Sequence, residues 1–267
     1  MSTTTYALRD SMTMLRRNLK HARRYPSLTL SVVVLPVLML LMFVYVFGAP
    51  LGDGIDVPGV GGGGGRDAYT NYITPGILLM AIATSSIATA VSVCTDMTEG
   101  IINRFRTMSI SRASVLVGHV LGNVVQTAVS LLLIVCVALA VGFRSNAHVL
   151  EWAAVLGLLL FLAFALAWLS AAIGLGSESV ETASNAPLPL AFLPFLGSAV
   201  VPPDSMPAGI RWFAEYQPFT PITETVRGLL LGTGIGNDGW ISLAWLTALT
   251  VLGYVWAKAS FNRVANR

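Results

Sequence analysis

The chain carries apolar runs too long and too uninterrupted for an ordinary soluble core. Leu28 to Phe47 is twenty residues without a charge. A bilayer core of about 30 Å is crossed by about 20 residues of helix, which satisfies every backbone polar group within itself. Five further stretches follow, each set off by charges: Asp67 to Asp96, Arg112 to Arg144 (uncharged except for His119), Glu151 to Glu178, Glu181 to Asp204, and Asp238 to Lys258. The fifth is interrupted by Pro187, Pro189 and Pro194. Transmembrane helices are therefore expected over 27–48, 71–95, 113–143, 152–176, 183–201 and 239–257. The fold class is an all-α polytopic membrane protein of six spans in a single domain over 1–267.

Composition agrees. Only 11% of the 267 residues are charged and 55% are hydrophobic, against about 25% charged in soluble domains. A disordered chain would be polar and charge-rich. The net charge of +3 does not point to nucleic acid, because the basic residues border the apolar runs. They orient the chain instead. Six spans place both termini on one side. Of the 16 lysines and arginines, twelve fall on that side, six of them before the first span. Only Arg66, Arg144, Arg211 and Arg227 fall on the other. The positive-inside rule then makes both termini cytoplasmic, in a multi-pass cell-membrane protein, expected to be bacterial.

The N-terminal arm, 1–26, places Leu8, Met12, Leu15, Leu19 and Ala22 at helical spacing among basic residues, with Pro26 closing it. This pattern fits an amphipathic helix on the cytoplasmic surface. Export signals also join a basic segment to an apolar run, and Arg16-Arg17 resembles a twin-arginine signal. The first apolar run exceeds a usual signal core, however, and five more follow it. The run Gly61 to Gly65 is expected in a flexible outer loop over 48–66 and is not a phosphate cradle. A P-loop needs Gly-Lys-Ser/Thr, and neither lysine, Lys20 or Lys258, follows a glycine. Cys94 and Cys136 lie in apolar stretches with no Cys/His cluster beside them, so neither a disulfide framework nor a zinc site is expected.

Between the second and third spans, residues 96–112 are too short and polar to cross. Ile101, Ile102, Phe105 and Met108 share one helical face, with Asn103, Arg104, Arg106 and Thr107 on the remainder. Such a helix lies across the cytoplasmic face, against lipid or against a partner protein. In the outer segment 202–238, Thr220-Pro221 reads as a helix start with Thr as N-cap. Glu224 and Arg227, three apart, can pair on that helix. Either the helix dips into the membrane, where an isolated charge is costly, or the segment is an exposed loop.

These two segments resemble a known family. Glu99-Gly100, then Arg104-Phe105-Arg106, then Ser109-Ile110-Ser111-Arg112 are similar to the cytoplasmic loop of ABC type-2 exporter permeases, in particular the daunorubicin-resistance-type drug-efflux subunits. The family usually carries proline where this chain has Ser109. Gly197, Pro202-Pro203, Pro207, Gln217-Pro218-Phe219-Thr220-Pro221, Glu224, Arg227 and Gly228 resemble the family's segment of short re-entrant outer helices before the last span. The resemblance covers nearly the whole chain. It implies a permease that pairs with a second permease copy or a paralogue, embedded in lipid, and binds two copies of a separate ATP-binding subunit. ATP and magnesium would sit on that partner, with no cofactor, metal or catalytic residue on this chain. Glu99, Gly100, Ile102, Arg104, Phe105, Arg106 and Arg112 would form the coupling loop docked on the ATPase. Pro218, Thr220, Pro221, Glu224 and Arg227 would build the outer re-entrant segment. The second and fifth spans line the central interface in the family, which points to Thr84, Ser85, Thr89, Asn185 and Pro189 as pathway residues.

The polar stripe His119, Asn123, Gln126, Ser130 of the third span has two readings, interhelical hydrogen bonding or a pathway or proton-carrying role for His119. Three histidines, and no carboxylate pair in mid-span, leave an intramembrane enzyme without its acids and bases. Charge-free span interiors and the lack of an internal repeat disfavour an ion-coupled transporter. The expected role is ATP-driven efflux of a hydrophobic or amphipathic small molecule such as a drug, antibiotic or lipid. A lipid-linked or polymer precursor is the alternative cargo.

Overall fold

The computed structural model describes residues 26–52, 65–99 and 112–265. Every regular element among them is helical. Helix α1 (Pro26–Met42) runs through a π-helical turn (Phe43–Phe47) into the short α2 (Gly48–Gly52). Three long helices follow, α3 (Arg66–Thr98), α4 (Arg112–Val141) and α5 (Val149–Gly176). The chain then breaks into α6 (Val180–Asn185), α7 (Leu188–Phe192) and a 3-10 turn (Leu193–Leu196). A second 3-10 turn (Pro203–Ser205), α8 (Ala208–Tyr216) and α9 (Phe219–Leu231) lead to the closing helix α10 (Asp238–Ala265).

The boundaries have local causes. Helix α5 opens with a capping box in which the Glu151 carboxylate accepts the His148 backbone N–H at 2.6 Å. Ser179 caps α6 by accepting the Thr182 N–H at 3.1 Å. Pro187, Pro189 and Pro194 remove donors and crowd the preceding turn, so the expected fifth span is three short pieces. Helix α9 ends at Gly232, whose φ of +73° suits a residue without a Cβ.

Among the described residues, five helical stretches are long and apolar enough to cross a bilayer: Val33–Pro50, Arg66–Thr98, Leu116–Val141, Val149–Gly176 and Asp238–Arg263. They divide into centre and periphery. The apolar windows of α3 and α5 are 72% and 61% buried, against 22% to 28% for the other three. So α3 and α5 form the axis of the bundle. The peripheral helices turn large apolar side chains outward, among them Leu35, Leu38, Leu132, Val251, Leu252 and Trp256. In water that surface would aggregate; against lipid it is ordinary.

Glycines set the closest helix approaches. A Cβ on Gly174 of α5 would lie 2.4 Å from the Ala90 carbonyl oxygen of α3. One on Gly253 of α10 would lie 2.8 Å from the Leu169 backbone nitrogen of α5. Gly76 of α3 meets the Ala199 carbonyl oxygen at 2.3 Å by the same measure. That contact locates the broken segment. It leaves α5 near Cys94, whose thiol lies 3.7 Å from the Ser177 carbonyl oxygen, and reaches Gly76 by residue 199. Eighteen residues of α3 separate the two levels, about 27 Å of helix. The segment therefore climbs just over half the length of the 33-residue α3 although it holds no long helix.

Candidate functional site

Near the Arg66 end of the bundle, α9 packs against α3 with most of its apolar side chains covered. Phe219, Ile222, Val226, Leu230 and Leu231 are buried there. Thr223 and Thr225 return their hydroxyl protons to the carbonyls of Phe219 and Pro221, both at 2.7 Å, which satisfies them without water. Arg227 lies at the centre, only 6% exposed. Its guanidinium donates to the Tyr72 carbonyl at 3.2 and 3.4 Å and to the Ser198 carbonyl at 2.8 Å, and pairs with the Glu224 carboxylate. Its Cζ sits 3.8 Å above the centre of the Tyr72 ring. The Tyr72 hydroxyl donates to the same Ser198 carbonyl at 2.9 Å. Planarity and five donors let one arginine fill all these places, where a lysine could not. Pro75 lies within this stretch of α3 and removes the backbone donor that would face the Asn71 carbonyl.

The loop between α4 and α5 closes the far end of α9. Ser145 and the Asn146 backbone donate to the Leu230 carbonyl at 2.8 and 3.0 Å, and the Arg144 N–H donates to the Asn71 side-chain oxygen at 2.8 Å. These bonds satisfy orphan carbonyls of the helix end and tie α9 to α3 again. Just before α9, α8 is exposed, with Ile210, Trp212, Phe213 and Tyr216 outward. Arg211 hydrogen-bonds Glu215 at 2.7 Å and pairs with Asp204, which raises its pKa above the usual arginine value and keeps it charged.

A second polar cluster lies near the opposite end. His119 of α4 is buried between two side chains of α3. Its Nε2 lies 3.0 Å from an Asp96 carboxylate oxygen and its Nδ1 lies 3.1 Å from the Ser92 hydroxyl. Further along the same seam, the Asn123 amide donates to the Ser85 carbonyl at 2.9 Å, and the Ser85 and Thr127 hydroxyls meet at 2.9 Å.

Sequence reasoning located these pieces unevenly. Glu224 and Arg227 are joined as their spacing allows, but the carbonyl acceptors Tyr72 and Ser198 lie 155 and 29 residues from Arg227 and no local pattern announces them. Thr220 is not the N-cap of α9. The helix starts at Phe219 with Pro218 before it, Thr220 and Pro221 lie buried in its first turn, and the Thr220 hydroxyl donates to the Ala214 carbonyl of α8 instead. Helix α3 runs past residue 95, so Asp96 belongs to the span and not to the loop. The Asp96–His119 contact was missed for that reason.

Among the pathway residues, Ser85 and Thr89 are buried within the bundle, and Ser85 is committed to Ile82 and Thr127. Thr84 is half-buried and donates to the Met80 carbonyl, while Asn185 and Pro189 are exposed. Of the coupling residues, Glu99 terminates α3, exposed, with its N–H on the Thr95 carbonyl at 2.9 Å, and Arg112 opens α4. Gly100, Ile102, Arg104, Phe105 and Arg106 lie outside the described residues, as does the N-terminal arm through Tyr25.

A bundle of lipid-suited helices, with a buried arginine fixing a short helix beside the last span, defines a polytopic membrane protein with its polar side chains tied into helix packing. The family model of the ABC-2 type transporter matches residues 10–231, and the chain belongs to that family as an ABC transporter membrane subunit. It is 26% identical over 228 residues to the daunorubicin resistance ABC transporter permease protein DrrB1 of Streptomyces coeruleorubidus, covering 85% of this chain and 77% of that protein. It is 23% identical over 200 residues to the probable doxorubicin resistance ABC transporter permease protein DrrC of Mycobacterium tuberculosis, covering 75% of this chain and 72% of that one.

Proposed function

We propose that the chain is the permease of an ATP-driven exporter that moves a hydrophobic or amphipathic small molecule, of the class of drugs, antibiotics or lipids, out of the cell. The observation that carries this reading is the match to drug-resistance permeases over three quarters or more of the chain. The chain has no Gly-Lys phosphate loop, so the energy comes from a separate ATP-binding subunit carrying ATP and magnesium. Two copies of that subunit serve a pair of permeases, either two copies of this chain or this chain and a paralogue.

In this reading the Glu99 end of the bundle is cytoplasmic, with both termini, and the Arg66 end faces outward. The broken segment after α5 is a sixth crossing; its climb along α3 supports that. Helix α9, about 20 Å long at 13 residues, is re-entrant from the outer face. Its apolar burial and internally satisfied threonines suit a site without water. Loop 100–111 with Glu99 and Arg112 docks on the ATP-binding subunit. Glu99 stands at the C-terminal end of α3, where the helix dipole opposes a carboxylate, so a cationic group on the partner would stabilise it. An affinity-tagged chain expressed in its native membranes should co-purify an ATP-binding-cassette subunit in equal amount. Isolation of the chain without one, under detergent conditions that preserve its fold, would contradict the assignment.

A further inference from the structure

We infer that Asp96 and His119 form a clasp that makes α3 and α4 one rigid hairpin, and that His119 is a positioning residue for transmitting motion from loop 100–111. This rests on the permease reading above. The clasp lies where such a role would require it. Asp96 is two residues from the end of α3, and His119 is seven residues, two turns, into α4. The two helices are the arms joined by that loop.

The chemistry favours a lock over simple packing. A carboxylate in a buried site is costly unless paired and hydrogen-bonded, and an apolar pair of similar volume would hold two helices together as well or better. What an apolar pair lacks is register. The His119 ring touches α3 at both nitrogens, with Asp96 and Ser92 one helical turn apart, so α4 can neither slide nor turn against α3 without breaking one contact. The serine hydroxyl donates to Nδ1 or accepts from it, so both contacts survive in either protonation state of the ring. Asn123 on Ser85 and Thr127 on Ser85 extend the same seam toward the middle of the helices. A loop pushed by its partner then displaces both arms together instead of prising them apart.

The side-chain amide nitrogen of glutamine reaches where Nε2 of histidine stands, and that of asparagine where Nδ1 stands. His119→Gln should therefore keep the Asp96 contact and His119→Asn should lose it. The apolar double variant Asp96→Val, His119→Leu removes the clasp while keeping the volume filled. Each variant is made with Cys94 and Cys136 replaced by alanine and nitroxide labels at the exposed positions Thr98 and Val125. The complex with its ATP-binding subunit is measured by pulsed electron paramagnetic resonance, without nucleotide and with a non-hydrolysable ATP analogue.

In the parent and in His119→Gln, the two distance distributions should superimpose. In His119→Asn and in the double variant, the analogue should add a second, longer distance, with thermal stability of the double variant at or above the parent's. A second distance in the parent, or superimposed distributions in both clasp variants, overturns the inference. Failure of an ATP-binding subunit to associate with the parent overturns the permease reading instead.

Discussion

Arg227 shows how a charge is tolerated beside apolar helices. Every direction of its guanidinium is used: two backbone carbonyls, one carboxylate and one aromatic face. Because the pair is buried on the arginine side, removing one partner strands the others. Arg227→Ala should destabilise the folded protein by about 3–5 kcal/mol, read as a lower melting temperature in detergent. Arg227→Lys should fall between, since an ammonium keeps the charge without the planar fork. Tyr72→Phe deletes one neutral hydrogen bond to the Ser198 carbonyl and should cost about 1 kcal/mol. The arginine and its carboxylate were legible in the sequence at i and i+3. The tyrosine was not, because no periodicity connects residues 155 apart. The His119–Asp96 pair was hidden because Asp96 reads as the loop residue that closes the second span, although both lay in view as isolated titratable groups flanking one short loop.

Among the elements, the existence of the long helices was legible from charge spacing, because a charge in a bilayer core is expensive and a soluble helix seldom runs about 20 residues without one. Their ends ran further than the charges implied. Helix α3 takes in Asp67 at one end and Asp96 at the other, the latter made tolerable by His119. Which helices are central was not legible, since apolarity does not sort them: the peripheral α4 is more apolar than the central α3. It follows from small residues that permit backbone contact. Gly76→Ala and Gly174→Ala would each drive a methyl into a backbone oxygen, costing roughly 1–3 kcal/mol by thermal melting. Gly157→Ala, with nothing within 4 Å of the added carbon, should be neutral or stabilising by up to about 1 kcal/mol. If loop 100–111 docks on the ATP-binding subunit as proposed, Phe105→Ala should weaken that association through loss of an apolar anchor. Glu99→Ala should leave assembly intact while reducing ATP-driven transport. Co-purification and transport measured on the same membranes distinguish the two effects, and wild-type transport in both variants would remove the loop from the coupling path.

For the whole molecule, the placement of lysines and arginines predicts an orientation that labelling can check. In a background without Cys94 and Cys136, single cysteines at positions 3 and 265 should be protected from an impermeant reagent in intact cells, and one at position 62 should react. Labelling at 3 or 265, or protection at 62, would reverse or break the six-span arrangement. In the proposed function, ATP hydrolysed by a partner drives an amphipathic molecule outward through this chain. Inside-out vesicles holding the chain and its ATP-binding subunit, with fluorescent daunorubicin as the probe, test it most directly. Uptake should require ATP and magnesium and be lost when either protein is left out. ATP turnover by an intact complex with no nucleotide-dependent uptake of daunorubicin or of a competing amphipathic drug would contradict it.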